Sequence, residues 1–220
     1  MRPRNCEVVH PSSTTKEVTL MTSTIPTTTP QELKCPGNFT LYHRTPTALN
    51  NHTSAYCMKV VASRQFHSIF KAQALCKEAN ATLTVYENVE ERKAIHEEMT
   101  AILKSYNLFH GSIAVGARRR AECNTRDLLI LGEPPCNSPT TSFFTSDGHT
   151  NPTYLWTSWM QQRPTNPLFT GIEETCVSFG VSSITTSPYN NVINDLPCEN
   201  KEESEGTDLW IFGALCGFPL

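Results

Sequence analysis

Glu174, Asn194 and Asp195 each place a side-chain oxygen a few residues before a cysteine, in Glu174-Thr175-Cys176 and Asn194-Asp195-Leu196-Pro197-Cys198. If Cys176 and Cys198 pair, the three donors come into one neighbourhood. Hard oxygens held close together are what Ca²⁺ requires, and the ion takes about six to eight of them. Calcium and neighbouring amide or acid groups can in turn grip sugar hydroxyls. The plainer reading of Asn194-Asp195 is a turn feeding Pro197 and Cys198, because both residue types are common in turns.

Other chemistry has less support. There is no Cys-x-x-Cys pair and no His-x-x-x-His, so the usual ligand spacings of zinc are missing. Seven histidines, at 10, 43, 52, 67, 96, 110 and 149, stand in no readable Ser/His/Asp or Cys/His arrangement. The cysteines are better explained as disulfides than as nucleophiles. Arg118-Arg119-Arg120 reads as a solvated loop, the alternatives being an anion site or a processing site. Trp156, Trp159 and Trp210 could stack on a sugar ring, but at least two of them read as core. Asp147-Gly148 reads as a turn.

The 220 residues suit one domain of ordinary size, or one domain plus a tail. A net charge of −3 gives no nucleic-acid footprint. Nine cysteines together with three Asn-x-Ser/Thr sequons, at Asn38, Asn51 and Asn80, favour an oxidising secretory compartment. Residues 1–20 hold no apolar run of seven or more, so no secretory signal is visible. The expectation of a secreted, extracellular protein therefore places the true start upstream. No apolar stretch is long enough for a membrane span.

Residues 11–30 are more than half Ser and Thr with Pro interspersed, and such a segment buries too little apolar surface to offset its ordering entropy. Residues 1–34 are expected to be a disordered linker or O-glycosylated stalk. Cys6 precedes it as an odd cysteine, suited to a disulfide dimer or to a bond with a cysteine further upstream. The folded domain is expected over 35–220. Its eight cysteines permit 105 pairings, among which spacing alone does not choose.

Two helices must carry part of the core. The first is expected over about 63–79, with Phe66, Ile69, Phe70, Ala74 and Cys76 at helical spacing and Asn80 in the left-handed closing position. The second is expected over about 89–106. Asn88 caps it with Glu91 as capping-box partner, and Ile95, Met99, Ile102, Leu103 and Tyr106 form its apolar stripe. Glu90, Glu91, Lys93, Glu97 and Glu98 are expected to face water. Beyond residue 110, apolar runs at 112–115, 176–179 and 209–215 read as strands, separated by long polar stretches. Cys123 and Cys136 sit where a staple would help one such stretch. Helices first, then strands and long loops, is an α+β order.

In order and spacing these pieces resemble the C-type lectin-like domain, from about Cys35 to Cys216. Leu83-Thr84 is similar to the family's strand entry, and Ser112-Ile113-Ala114-Val115-Gly116 to its Trp-Ile-Gly-Leu segment with the Trp absent. Arg163-Pro164-Thr165 stands in the place of its Glu-Pro-Asn or Gln-Pro-Asp tripeptide. Glu174-Thr175-Cys176 and Asn194-Asp195 with Cys198 match the later ligand positions, and Ala214-Leu215-Cys216 the closing strand. The Thr-rich leader and the extra loop cysteines look most like the divergent secreted members found in nematodes. The resemblance implies two helices packed on small antiparallel sheets, with a long-loop region and an insertion near 118–155. It also implies the bridges Cys35–Cys57, Cys76–Cys216 and Cys176–Cys198, leaving Cys123–Cys136 as a local staple.

The resemblance implies a ligand-binding set of Arg163, Thr165, Glu174, Asn194 and Asp195. Three of its five positions, Glu174, Asn194 and Asp195, suit a metal, whereas Arg163 and Thr165 do not. With a positive charge in the cation's place, calcium binding is expected to be weak or absent, and no other cofactor is implied. Arg163 is expected to pair with Glu174 or Asp195, so that Arg163→Glu would create calcium binding. Gln162 and Asn166 compete with Arg163 for the slot. The expected function is non-catalytic recognition of a glycan through the long-loop face. The alternatives are a calcium-independent protein-binding domain and a disulfide-rich inhibitor or structural protein.

Overall fold

The computed structural model describes residues 33–65, 67–165, 173–199 and 210–220. The expected linker up to residue 32, Cys6 and Asn166 lie outside the described residues.

Short strand β1 (Thr40–His43) pairs antiparallel with β2 (Ala55–Ala62). Helix α1 (Ile69–Glu78), strand β3 (Thr82–Leu83) and helix α2 (Val89–Ser105) follow. Strand β4 (His110–Arg119) leads into a connection carrying two single-turn helices, α3 (Leu128–Leu131) and α4 (Pro139–Ser142), and strand β5 (Phe143–Thr145). Strands β6 (Cys176–Ser182), β7 (Val192–Leu196) and β8 (Ile211–Pro219) complete the fold. The strands join in a single sheet of order β1-β2-β8-β4-β6-β7, with β3 on β8 and β5 on β4. Among the described residues the pairings of these strands are antiparallel except β4 with β8.

Side-chain alternation along the strands assigns each helix its own face of the sheet. On β4, Ile113 and Val115 join the larger core with Ile95, Met99 and Leu103 of α2. Ala114 between them joins the smaller core with Ile69, Ala72 and Cys76 of α1. Gly116 lies where β4 passes β3 so closely that a Cβ would meet the Leu83 carbonyl oxygen at 2.2 Å. Bridges Cys35–Cys57, Cys76–Cys216, Cys123–Cys136 and Cys176–Cys198 close the domain.

The first helix is shorter than the expected 63–79. Ser68 caps it by accepting from the Lys71 amide, because Ser63 and His67 are held against β8 by backbone bonds to Phe212 and Ile211. Phe70, expected on the inner stripe, is 46 % exposed. Asn80 adopts φ 54°, as the closing position requires. Asn88 caps α2 through the Glu91 amide, but Glu91 does not return the capping-box bond and does not face water. It is buried and grips Arg44 through Nε at 2.8 Å and Nη2 at 3.0 Å. Arg44 lies over the Tyr56 ring and reaches Thr150 and the His149 carbonyl, tying β1 to the loop after β5. Asp147 accepts from Thr84, Thr150 and Tyr56, so the expected turn is also a half-buried anchor.

Candidate functional site in the long-loop region

The site assembles where β4 and β7 end and β6 begins. Register shifts between Val115 and Arg118, a bulge that carries the end of β4 toward the long loops. Ala117 stays in the larger core, and Arg119 two residues on turns to the same side. On β7, Asp195 lies opposite Val177 of β6 and so shares that side. Arg119 and Asp195 meet there, with Arg119 Nη2 donating to Asp195 Oδ2 at 2.9 Å. Arg119 also donates to the Glu174 carbonyl at 3.1 Å and the Thr165 carbonyl at 2.8 Å. Its guanidinium rests over Phe143, 4.5 Å from the ring centroid. Phe143 in turn packs on Trp159, which stacks on Trp156.

A second guanidinium closes the cluster. Arg163 Nη1 donates to Glu174 Oε2 at 3.1 Å, to Thr165 Oγ1 at 2.8 Å and, more distantly, to Asp195 Oδ1 at 3.4 Å. Thr165 donates its amide to Asp195 Oδ1 at 3.1 Å and its hydroxyl to Glu174. The Arg163-Pro164 peptide bond is cis. Asp195 has no exposed side-chain surface and Arg119 only 5 %. Two guanidiniums thus face two carboxylates, with the same total positive charge as one divalent cation.

Burial dominates the electrostatics. It pushes Asp195 up to about 6, helped by the neighbouring Glu174 carboxylate and opposed by the Thr165 amide, Arg119 and Arg163. Burial likewise pulls Arg119 below its usual value, against Asp195 and Glu174.

The structure brings Arg163, Thr165, Glu174 and Asp195 together and leaves Asn194 apart. As the next residue along β7, Asn194 turns to the opposite face, opposite Ser178. Its Oδ1 and the Ser178 hydroxyl are both buried without a hydrogen-bond partner. Arg119 corrects the sequence reading: it lies in a strand and is buried, where a solvated loop was expected. The three consecutive arginines signalled no inward residue. The alternation begun by Ile113 and Val115 is masked by the bulge. Gln162 is exposed, so it does not take the Arg163 slot. Trp156 is buried, Trp159 is partly buried and Trp210 is 41 % exposed.

Beside Arg119, a cleft of about 160 Å³ opens between the connection stapled by Cys123–Cys136 and the cis-proline loop, lined by Leu131, Asn137, Ser138, Pro164 and Thr165. Among the described residues no group of three His, Cys, Asp or Glu side chains is placed to hold a metal ion. A Ser63–His67 contact at 2.6 Å was not foreseen. It lacks a third member, since His67 Nδ1 is buried without a partner, and burial lowers the pKa of the ring.

An α+β domain with one helix on each sheet face, four bridges and a cis-proline long loop beside an acidic strand end has the architecture of a C-type lectin-like domain. The family model for C-type lectin domain-containing protein 141/158 matches residues 41–219, and the chain belongs to that family. It is 31 % identical over 188 residues to Caenorhabditis elegans C-type lectin domain-containing protein 158, covering 84 % of this chain and 88 % of that one. It is 36 % identical over 199 residues to C-type lectin domain-containing protein 141 of the same organism, covering 83 % of this chain and 65 % of that protein. Among solved structures it is similar to a calcium-independent type II antifreeze protein (TM-score 0.49, 16 % identity, covering 87 % of this chain and 98 % of that one). Human lithostathine is also similar (TM-score 0.48, 17 % identity, covering 87 % and 99 %). No helix among the described residues is long and apolar enough to cross a membrane.

Proposed function

We propose that this domain is an extracellular, non-catalytic recognition module that binds carbohydrate through its long-loop face without calcium. The observation that carries the reading is the pairing of Arg119 and Arg163 with Asp195 and Glu174. A calcium ion bound by these carboxylates would lie about 2.3–2.6 Å from their oxygens, in the space the guanidinium nitrogens now take. Both arginines would have to leave, and Arg119 is fixed by three hydrogen bonds and an aromatic ring. The ion pairs instead hold the Pro164–Thr165 loop against β7 with no net charge, and the cleft beside Arg119 has room for a terminal sugar residue. The exposed positions of Asn38, Asn51 and Asn80 suit N-glycosylation, and the four bridges suit an oxidising compartment.

A glycan array probed with the oxidised protein, with and without a calcium chelator, tests the reading. Binding that survives the chelator and is lost in Thr165→Arg supports it. Binding that requires calcium contradicts it. Silence across the array, with a protein partner recovered through the same face, would favour the protein-binding alternative.

A further inference from the structure

A larger groove lies away from the arginine cluster, between the start of α2, the end of β1 and the loop that follows β5. Its volume is about 580 Å³, within the range of small-molecule sites. Its lining includes Glu87, Glu90, Asn151, Thr153 and Tyr154, with His43 from the end of β1.

The groove is built in advance of any ligand. Glu87 is oriented by the Asn50 side-chain amide and by the Asn151 backbone amide, both at 2.9 Å. Tyr154 is held edge-on against the buried Tyr86, and its hydroxyl lies 3.4 Å from Arg92. Asn151 Oδ1 accepts from the Thr153 amide and hydroxyl, which fixes that wall. Glu90 is exposed on the first turn of α2. A fixed carboxylate at Glu87, an exposed one at Glu90 and a half-buried aromatic ring suit a ligand with several hydroxyl donors and one apolar face. They suit a strongly cationic ligand less well, because Arg44 stands 3.8 Å from Glu87 and offsets part of its charge.

We propose that this groove is a second binding site, for a neutral or amine-bearing pyranose that packs on Tyr154 and donates hydroxyls to Glu87 and Glu90. Carboxylated or sulfated sugars are excluded from it by the two glutamates. The site needs no metal and does not depend on the arginine cluster.

The test is a titration of the oxidised, ¹⁵N-labelled full chain, followed by backbone amide shifts. The probes are methyl mannoside, methyl galactoside and glucosamine at millimolar concentration, with glucuronic acid as the acidic control and a Lys-rich peptide as the cationic one. The expected result is saturable shifts at residues 87–91 and 151–157 with at least one of the three sugars, and none with glucuronic acid. Glu90→Gln, an exposed change, should weaken that binding about tenfold, the loss of one charge-assisted hydrogen bond. Tyr154→Phe should retain it and Tyr154→Leu should lose it, at unchanged helix content. Four outcomes overturn the proposal: no shifts with any of the sugars, shifts confined to residues 163–165 and 174–195, equal binding of glucuronic acid in the groove, or binding there of the peptide alone. The second would leave the long-loop reading standing. Groove shifts from a protein that is silent at the long loop would do the reverse.

Discussion

Replacing Arg119 with leucine would remove a charge from a nearly water-free setting. The side chain is 5 % exposed and its partner Asp195 is fully buried. Removing one partner of a buried pair commonly costs about 3–5 kcal/mol, because the other charge is left uncompensated. Here Asp195 has a way out. It already titrates near 6, so taking up a proton at pH 7 costs only about 1.4 kcal/mol, the equivalent of one pKa unit. Arg163 and the Thr165 amide also remain beside it. Leucine would recover part of the apolar contact with Phe143, while the Glu174 and Thr165 carbonyls would each lose a donor. The expected cost is therefore about 2–4 kcal/mol at pH 7, or about 4–16 °C in melting temperature for a domain of this size. It should be smaller at pH 5, where Asp195 is protonated more readily. Denaturant and thermal unfolding of the oxidised protein at both pH values measure it, with Asp195→Asn and the double variant completing a cycle. The reasoning is refuted if Arg119→Leu costs less than about 1 kcal/mol at pH 7, or if the double variant loses the full sum of the two singles.

Further expectations follow from neighbouring parts of the molecule. Asp195 has a folded pKa of about 6 against 3.8 for the free group, so the folded state holds its proton more tightly and the Asp195 contribution to stability rises as pH falls from about 6 toward 3.8. Asp195→Asn should remove that rise, worth up to about 3 kcal/mol, from the pH dependence of melting. Arg163→Glu alone should not create calcium binding, because Arg119 remains on Asp195; adding Arg119→Leu and Thr165→Asn should, as read by calorimetry. Replacing Cys76 and Cys216 together should cost about 4–5 kcal/mol in the chain-entropy model, given their separation of 140 residues, and denaturant unfolding would show it. Gly116→Ala should cost at least about 1–3 kcal/mol, because its Cβ would overlap the Leu83 carbonyl and force β3 and β4 apart.

The parts of the fold set by local pattern were legible in the sequence. The Ile95-Met99-Leu103 stripe and the Asn88 cap delimit α2 to within a residue, since both depend on neighbours along the chain. The start of α1 was not legible, because the segment before Ser68 is held by hydrogen bonds to β8, some 145 residues away in sequence. Glu91 shows the same limit. Its position on the helix suggests solvent, and Arg44, brought over by β1, together with the Glu87 amide makes burial tolerable.

The site was half legible. Glu174 and Asp195 stand out by type and spacing, and the resemblance to a known family added Arg163 and Thr165 to their neighbourhood. Arg119 was missed because its inward direction follows from strand alternation across a bulge, which three like charges in a row conceal. Asn194 shows the converse, since adjacency in sequence places its side chain on the opposite face of β7 from Asp195.

Calorimetric titration of calcium into the purified, oxidised protein, with melting followed in parallel, bears most directly on the arginine cluster as a substitute for the metal. The account predicts no saturable heat and no change in melting temperature at millimolar calcium. Saturable binding that raises the melting temperature and disappears in Asp195→Asn would contradict it, because the ion would then have displaced Arg119 and Arg163 from the carboxylates they hold.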